Sequence, residues 1–268
     1  MVFYSVSGSE TFLMSFLVTR HSSRVTNGLM PESPTTSDTF YHGKVVIQQL
    51  KKGYRFAVDS PILADFLQRS RQPALEIGCG VGVVSLLALF KKKFPAVTGV
   101  EIQEPLYRLA VDNAAANGMN GKFLVIRGDF KRMYAGLASV RTIFCNPPFF
   151  KASQGRVSHD RTIRLARFDI ALNLDDLLRC SAAILAPKGS FCLIFPYSRQ
   201  QELLVSAAGH GLYPEKIRCV QPFADAPPDR FLVRLGKVKK CCCPEKPLVL
   251  FKGKGVYTAE MEKILSGG

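Results

Sequence analysis

The chain has 268 residues, of which 47% are hydrophobic and 21% charged, a composition typical of a soluble globular protein with a sizeable core. Its apolar runs are all shorter than the ~18–20 residues of a membrane span, which argues against a membrane protein. A formal net charge of +15 and a pI near 9.6 favour a polyanionic partner, most commonly nucleic acid, although basicity can also serve solubility alone.

The cysteines indicate free thiols. Their spacing matches neither a disulfide framework nor a metal site, and several lie inside apolar runs, where a thiol packs as a small hydrophobe. The run Cys241-Cys242-Cys243 has no CxxC motif or histidine nearby and is interpreted as structural. We therefore expect a cytoplasmic protein without a metal.

The first 40 residues give few structural indications. Residues 12–18 are apolar, but the run is short and the acidic Glu10 precedes it, which is unlike a secretory signal. Residues 22–39 are rich in Ser, Thr, Pro and Gly. We predict a flexible arm over residues 1–40, outside the fold.

A small β-rich cover is predicted over residues 41–70. Residues 44–58 read as two strands joined by a hairpin turn at 51–53. Asp59 or Ser60, with a proline next, marks a helix start. The main domain is expected to follow.

A glycine-rich loop opens the main domain. An apolar strand over residues 74–77 precedes it and a helical run follows it. Because glycine lacks a side chain, the backbone of such a loop can approach a ligand closely at a helix N-terminus. The spacing is GxGxG and not the dinucleotide pattern GxGxxG, and a tight turn without a ligand is the alternative. The predicted cofactor residues are Glu76, Gly78, Gly80 and Gly82.

Acidic residues lie at the ends of the next two strands. Glu101 lies near the end of the predicted strand 96–102, where an acid in a doubly wound fold accepts hydrogen bonds from ribose hydroxyls. We predict that Glu101 is the ribose ligand and not merely an exposed carboxylate. Asp129 follows the strand 123–127 and either accepts from an adenine amino group or caps the next short helix.

The fourth strand ends at Asn146-Pro147-Pro148-Phe149-Phe150. Two prolines supply no N–H, so the strand stops there. The Asn146 amide oxygen and the Pro147 carbonyl are two acceptors on one rigid turn, which match the two N–H donors of an exocyclic amine. Phe149 or Phe150 offers a face on which a planar base can stack. The alternative is a simple turn, since Asn-Pro often opens one.

The stretch after this motif is strongly basic. It is predicted to be a loop over the site that contacts phosphates, with a solvated helix face as the alternative. Its cations are Lys151, Arg156, Arg161, Arg164 and Arg167, with His159 among them.

The rest of the chain alternates helices and strands, ending in two β runs, 216–223 and 231–239, interpreted as an antiparallel edge hairpin. Residues 71–268 thus predict a Rossmann-like doubly wound α/β domain. Its sheet is expected to have seven strands, mostly parallel, with an antiparallel strand at the edge.

This order of motifs resembles the class I S-adenosylmethionine-dependent methyltransferases. The Asn-Pro-Pro-Phe motif is similar to that of the members that methylate planar nitrogens: adenine N6, guanine N2 or the glutamine side-chain amide. Segments 48–66, 159–167 and 248–258 further resemble the bacterial tRNA (adenine-N6) methyltransferases. The triple cysteine and the long N-terminal arm depart from that family.

The resemblance implies S-adenosylmethionine as cofactor, held by the glycine loop, Glu101, Asp129 and Asn146. It implies catalysis by Asn146, Pro147 and Phe149, and contact of tRNA with Phe150 and the basic loop. A glutamine or guanine acceptor, or a non-catalytic nucleic-acid-binding protein of the same fold, remains the alternative. A nicotinamide oxidoreductase is disfavoured by the GxGxG spacing.

Overall fold

The computed structural model describes residues 35–51, 58–147 and 172–267. Its strands are β1 (Thr35–Phe40), β2 (Val45–Leu50), β3 (Ala74–Ile77), β4 (Val97–Glu101), β5 (Phe123–Arg127), β6 (Val140–Cys145), β7 (Leu185–Pro196), β8 (Tyr213–Gln221), β9 (Arg230–Gly236), β10 (Cys243–Val249), β11 (Phe251–Gly253) and β12 (Val256–Tyr257). Its helices are α1 (Asp59–Phe66), α2 (Val83–Phe90), α3 (Glu104–Ala116), α4 (Phe130–Met133), α5 (Leu174–Ile184), α6 (Gln200–Gly209) and α7 (Ala259–Ser266).

In the described part of the chain, the central sheet has eight strands in the order β10-β8-β9-β7-β6-β3-β4-β5. All its strands are parallel except β9, which pairs antiparallel with both β7 and β8. The predicted Rossmann-like α/β fold with a mostly parallel sheet is confirmed, and so is the antiparallel β8–β9 hairpin.

Two details of the predicted sheet were wrong. Among the described residues the sheet has eight strands and not seven, and the antiparallel strand β9 lies inside it because β8 pairs with its outer side, with β10 beyond β8 at the edge. The sequence of β10 contains Pro244 and Pro247 and lacks an apolar alternation, so it does not read as a strand. Proline is tolerated there because an edge strand pairs on one side only.

Helices cover both faces of the sheet, as in a doubly wound fold. On one face α1, α2, α3 and α7 enclose a core that includes Leu63, Leu87 and Met261. On the other face α4, α5 and α6 pack on the sheet through side chains such as Phe130 and Leu178. Among the described helices, none is long and apolar enough to cross a membrane.

The described N-terminal cover is a hairpin of β1 and β2, and β2 coincides with the first of the two strands predicted on either side of residues 51–53. β1 pairs antiparallel with β2, with Thr35 opposite Leu50. Residues 35–40, at the end of the predicted arm, thus form a strand of this hairpin. The sequence of β1 consists mostly of Ser and Thr, a composition that is typical of a linker. Most of the predicted second strand, residues 52–57, lies outside the described part of the chain.

Two asparagines, one in the last turn of α3 and one at its C-cap, hold this hairpin in place. The Asn113 side chain accepts from Gln48 N–H at 2.8 Å and donates to the Gln48 carbonyl at 2.9 Å. Asn117 makes the same pair of bonds to Val46, at 2.9 and 2.7 Å. The two amides thus take the place of a neighbouring strand along the free side of β2.

Candidate active site

The predicted site residues meet at the carboxyl edge of the sheet. β3 pairs in parallel with β4 on one side and β6 on the other, with Ile77 opposite both Val100 and Cys145. Adjacent strands are about 4.8 Å apart. The glycine loop after β3, Glu101 at the end of β4 and Asn146 after β6 therefore lie side by side at one level.

The glycine loop presents backbone to its surroundings. Gly78, Gly80 and Gly82 have φ values of 65°, 56° and 87°, in the left-handed region that favours glycine. The intervening side chains of Cys79 and Val81 are buried, whereas Gly78 and Gly80 are partly exposed. The exposed surface of the loop therefore consists of main-chain atoms, so no side chain prevents a ligand from approaching the backbone closely.

Glu101 braces this loop. Its carboxylate accepts from the N–H of Gly80 at 2.9 Å and from the N–H of Gln103 at 2.7 Å. The side chain is 1% exposed, and burial raises the pKa of its carboxyl group against the opposing effect of these hydrogen bonds. A carboxylate accepts about four hydrogen bonds, so lone pairs remain for ribose hydroxyls, and the ribose role stays a prediction.

Glu76 lies beneath the loop. It accepts from the backbone N–H of Ser85 at 3.2 Å and from the Ser85 hydroxyl, both in the first turn of α2. Burial raises the pKa of its carboxyl group to about 8, so the group is largely protonated at neutral pH. These contacts support a role in holding the loop to α2, and direct contact of Glu76 with the cofactor remains a prediction.

Asp129 caps α4, which was one of its two predicted roles. Its side chain accepts from Lys131 N–H at 3.0 Å. The half-buried carboxylate lies one residue beyond Gly128, whose N–H donates to the Glu101 carbonyl at 2.9 Å. Asp129 is thereby fixed at the same edge as Glu101, and its contact with adenine stays a prediction.

Asn146 and Pro147 end β6 as predicted. Asn146 is partly buried and Pro147 is buried. The Asn146 amide Nδ2 donates to the Ser60 hydroxyl at 3.4 Å, a long hydrogen bond that leaves Oδ1 free of a described partner. Phe149, Phe150 and the predicted basic loop with Lys151, Arg156, Arg161, Arg164 and Arg167 lie outside the described residues.

Three residues of this site could not be predicted from the sequence. Ser60, 3% exposed, lies in α1 and reaches Asn146 across 86 positions of sequence. Next to it, buried Asp59 forms an ion pair with Arg230 of β9 at 2.9 Å. On α3, Asn113 donates to the Val81 carbonyl in the glycine loop at 2.9 Å. An asparagine in the buried stripe of α3 is the one sequence indication.

A doubly wound sheet with a GxGxG loop, an acid at the end of the next strand and an Asn-Pro turn at the same edge defines a class I methyltransferase. Residues 55–196, more than half of the chain, match the methyltransferase small domain family. The chain belongs to this family and is an S-adenosylmethionine-dependent methyltransferase.

Curated relatives cover most of the chain. The tRNA1(Val) (adenine(37)-N6)-methyltransferase of Flavobacterium psychrophilum is 25% identical over 224 residues, 82% of this chain and 94% of the relative. The protein of the same name from Parabacteroides distasonis is 28% identical over 199 residues, 73% of this chain and 82% of the relative. A solved structure, a predicted O-methyltransferase from Agrobacterium tumefaciens, superimposes with a TM-score of 0.62 at 18% identity, covering 78% of this chain and 96% of that one. This structural likeness supports the fold alone.

The site fits S-adenosylmethionine. The main-chain surface of the glycine loop leaves room for close approach, and Glu101 has acceptor capacity for hydroxyl groups beside it. The side chain of Asn146, which follows β6 beside this loop, is a neutral amide. Among the described residues, no group of three or more His, Cys, Asp or Glu side chains could hold a metal ion.

Proposed function

We propose that the chain transfers the methyl group of S-adenosylmethionine to the N6 amine of an adenine in RNA, and specifically in tRNA. The observation that carries the proposal is the similarity, over 73–82% of the chain, to relatives named for that reaction. The Asn146–Pro147 turn beside the cofactor loop supports it, because these acceptors suit an amine.

The proposed mechanism is one of positioning. The cofactor supplies a methyl group that is already electrophilic. Asn146 Oδ1 and the Pro147 carbonyl would accept hydrogen bonds from the two N–H groups of the adenine amine. This favours a pyramidal nitrogen whose lone pair is available, an interaction that strengthens towards the transition state. Neither residue ionises, so the proton released as the nitrogen forms its bond to the methyl carbon and the S–C bond of the cofactor breaks would pass to water.

The substrate base must leave its stack to reach this turn, which is easier in an RNA loop than in a duplex. We propose that Phe149 or Phe150 stacks on the base and that the basic loop contacts the flanking phosphates. A cytoplasmic location is also proposed, in keeping with the unpaired cysteines.

The test is methyl transfer from radiolabelled S-adenosylmethionine into bulk tRNA, with a total protein extract in parallel and the Asn146→Ala variant as control. We expect label in N6-methyladenosine with the wild-type chain and none with the variant. Label in guanosine, or only in protein glutamine, would replace adenine with that acceptor. No transfer to RNA or protein would overturn the proposal.

A further inference from the structure

The loops at the amino edge of the sheet, opposite the candidate site, contain no acidic residue. β3 to β7 begin at this edge, α1, α2 and α3 end there, and the antiparallel β9 runs into it. Backbone bonds tie neighbouring loops together: Ser70 N–H donates to the Lys93 carbonyl at 2.8 Å and Val97 N–H to the Lys122 carbonyl at 2.7 Å. The loops are 41–44, 67–73, 91–96, 117–122, 137–139, 210–212 and 237–242.

Some cations of these loops are held by the protein itself. Lys91 forms an ion pair with Asp65 at 2.7 Å, and Lys93 donates to the Asp65 and Leu67 carbonyls at the end of α1. Others have neither an ion pair nor a side-chain hydrogen bond to any described residue. These define the basic ridge: Lys44, Arg71, Lys92, Lys122, Lys237 and Lys239.

The carboxyl edge differs in charge. Acidic side chains stand in or beside its described loops, at Glu104, Asp129, Asp225 and Asp229. The amino edge differs in that its loops contain no acidic residue, and the acidic side chains beside them, Asp65 and Glu215, form ion pairs with Lys91 and with Arg234 and Lys240.

Lys92 occupies a backbone position that favours glycine. α2 ends in a Schellman motif, in which Lys93 N–H donates to the Ala88 carbonyl and Lys92 N–H to the Leu89 carbonyl, both at 2.9 Å. Lys92 has φ 52°, in the left-handed region. α3 and α6 end in the same motif with glycine at this position, Gly118 and Gly211. A lysine here strains the backbone and yet projects an exposed charge from the ridge.

We propose that the basic ridge is a second nucleic-acid contact surface, which binds the phosphate backbone of RNA at a distance from the methylated nucleotide. That the polyanion is RNA rests on the proposed function. The cations lie along the edge of an eight-stranded sheet, whose strands spaced about 4.8 Å apart span ~34 Å, enough for several successive phosphates.

The chemistry of the ridge suits phosphates and not bases. The Tyr41 and Phe94 rings in its loops are 2% and 4% exposed, so these two rings offer no face for stacking. Lysine and arginine without such neighbours bind phosphate irrespective of sequence. The ridge would therefore add affinity and salt dependence without reading the RNA sequence.

The experiment compares two triple variants of equal charge change in binding to fluorescently labelled bulk tRNA across a range of salt concentrations. One removes ridge cations, Arg71→Gln, Lys92→Gln and Lys122→Gln. The control removes exposed cations of the edge strand β10 and of the β11–β12 hairpin, Lys246→Gln, Lys252→Gln and Lys254→Gln. Because the ridge variant can no longer neutralise three phosphates, its slope of log K against log salt should fall by about 2, and that of the control should not.

Lys92→Gly is the second variant. It removes the charge at a position where glycine is the favoured residue, so a loss of RNA binding cannot be explained by a less stable fold. Glycine relieves the left-handed backbone, so Tm should rise by about 2–4 °C. RNA affinity should nevertheless fall, with the salt slope reduced by roughly 0.7–0.9. If the salt slope is unchanged in Lys92→Gly, or if it decreases equally in the two triple variants, the proposal that the ridge binds RNA is refuted.

Two further outcomes separate the alternatives. Binding does not require methyl transfer. If the wild-type chain binds tRNA through the ridge without methylating RNA, the proposed function is refuted, whereas the proposal that the ridge binds RNA is retained. Vesicles containing phosphatidylglycerol provide the other comparison. If ridge substitutions abolish binding to these vesicles while tRNA binding keeps its slope, the surface is a membrane contact and the RNA proposal fails.

Discussion

Asn113→Ala should weaken both the fold and the cofactor site. The buried Asn113 side chain makes three hydrogen bonds, two to the Gln48 main chain and one to the Val81 carbonyl. Alanine leaves these main-chain groups without a partner in a buried region. At about 0.5–1.5 kcal/mol per bond, the free energy of unfolding should fall by about 2–4 kcal/mol, and Tm by about 5–12 °C.

The bond to Val81 adds a functional consequence, because Val81 lies inside the glycine loop. Loss of one such bond costs the bound conformation of the loop about 0.5–1.5 kcal/mol, which corresponds to a roughly twofold to thirteenfold weaker affinity for S-adenosylmethionine. Isothermal titration calorimetry well below Tm would measure the affinity, and thermal unfolding followed by circular dichroism would measure the stability.

Asn117→Ala is the matched control. Asn117 is the C-cap of α3, one turn beyond Asn113, and also makes three bonds, to both main-chain groups of Val46 and to the Asn113 carbonyl, but none to the loop. It should lower Tm, by less because Asn117 is only partly buried, and leave cofactor affinity unchanged. If both variants weaken cofactor binding equally, the loop is not positioned through Asn113 and the reasoning is refuted.

Three other substitutions test the site. Asn146→Ala should abolish methyl transfer while keeping most of the cofactor affinity, and a variant that loses binding but retains its rate would contradict the assigned role. Ser60→Ala should lower kcat about threefold to tenfold by releasing the Asn146 amide, with Ser60→Thr restoring it and the cofactor KM unchanged; an unaltered kcat would count against this contact. Glu76→Gln should make the free energy of unfolding decrease less steeply as the pH rises. A carboxyl whose pKa is raised to about 8 on folding, from 4.5, retains its proton where the unfolded chain has released it, so stability falls between pH 4.5 and 8. Urea unfolding at several pH values would show this, and parallel curves for wild type and variant would contradict it.

The sequence predicted the site at the level of strand ends. A strand followed by glycines, and strands ending in Glu101 or Asn146, place those residues at one edge by the geometry of parallel sheets alone. Local patterns missed β10, whose two prolines hide a strand, and β1, whose hydroxyl-rich sequence resembles a linker.

Contacts between distant parts of the chain were beyond sequence reasoning. Asn113 contacts Val81 and Gln48 at sequence separations of 32 and 65 residues. Each partner is a main-chain group, which every residue has, so the partner's residue type gives no indication of the contact. The same holds for the Schellman motif at Lys92, since lysine gives no indication of a left-handed conformation. These features follow from packing of whole elements and not from any local pattern.

The docking of the hairpin bears on where the catalytic unit begins. The predicted boundary at residue 71 separates the cover from the main domain, yet Val45 and Ile47 of β2 share a single buried core with Leu86 and Leu87 of α2. Through Asn113 the hairpin is also joined to the carbonyl that helps set the glycine loop. Removing the hairpin would expose apolar surface and free the same amide that braces the loop. We therefore propose that β1 and β2 belong to the folding unit that binds the cofactor, and are not a separable cover.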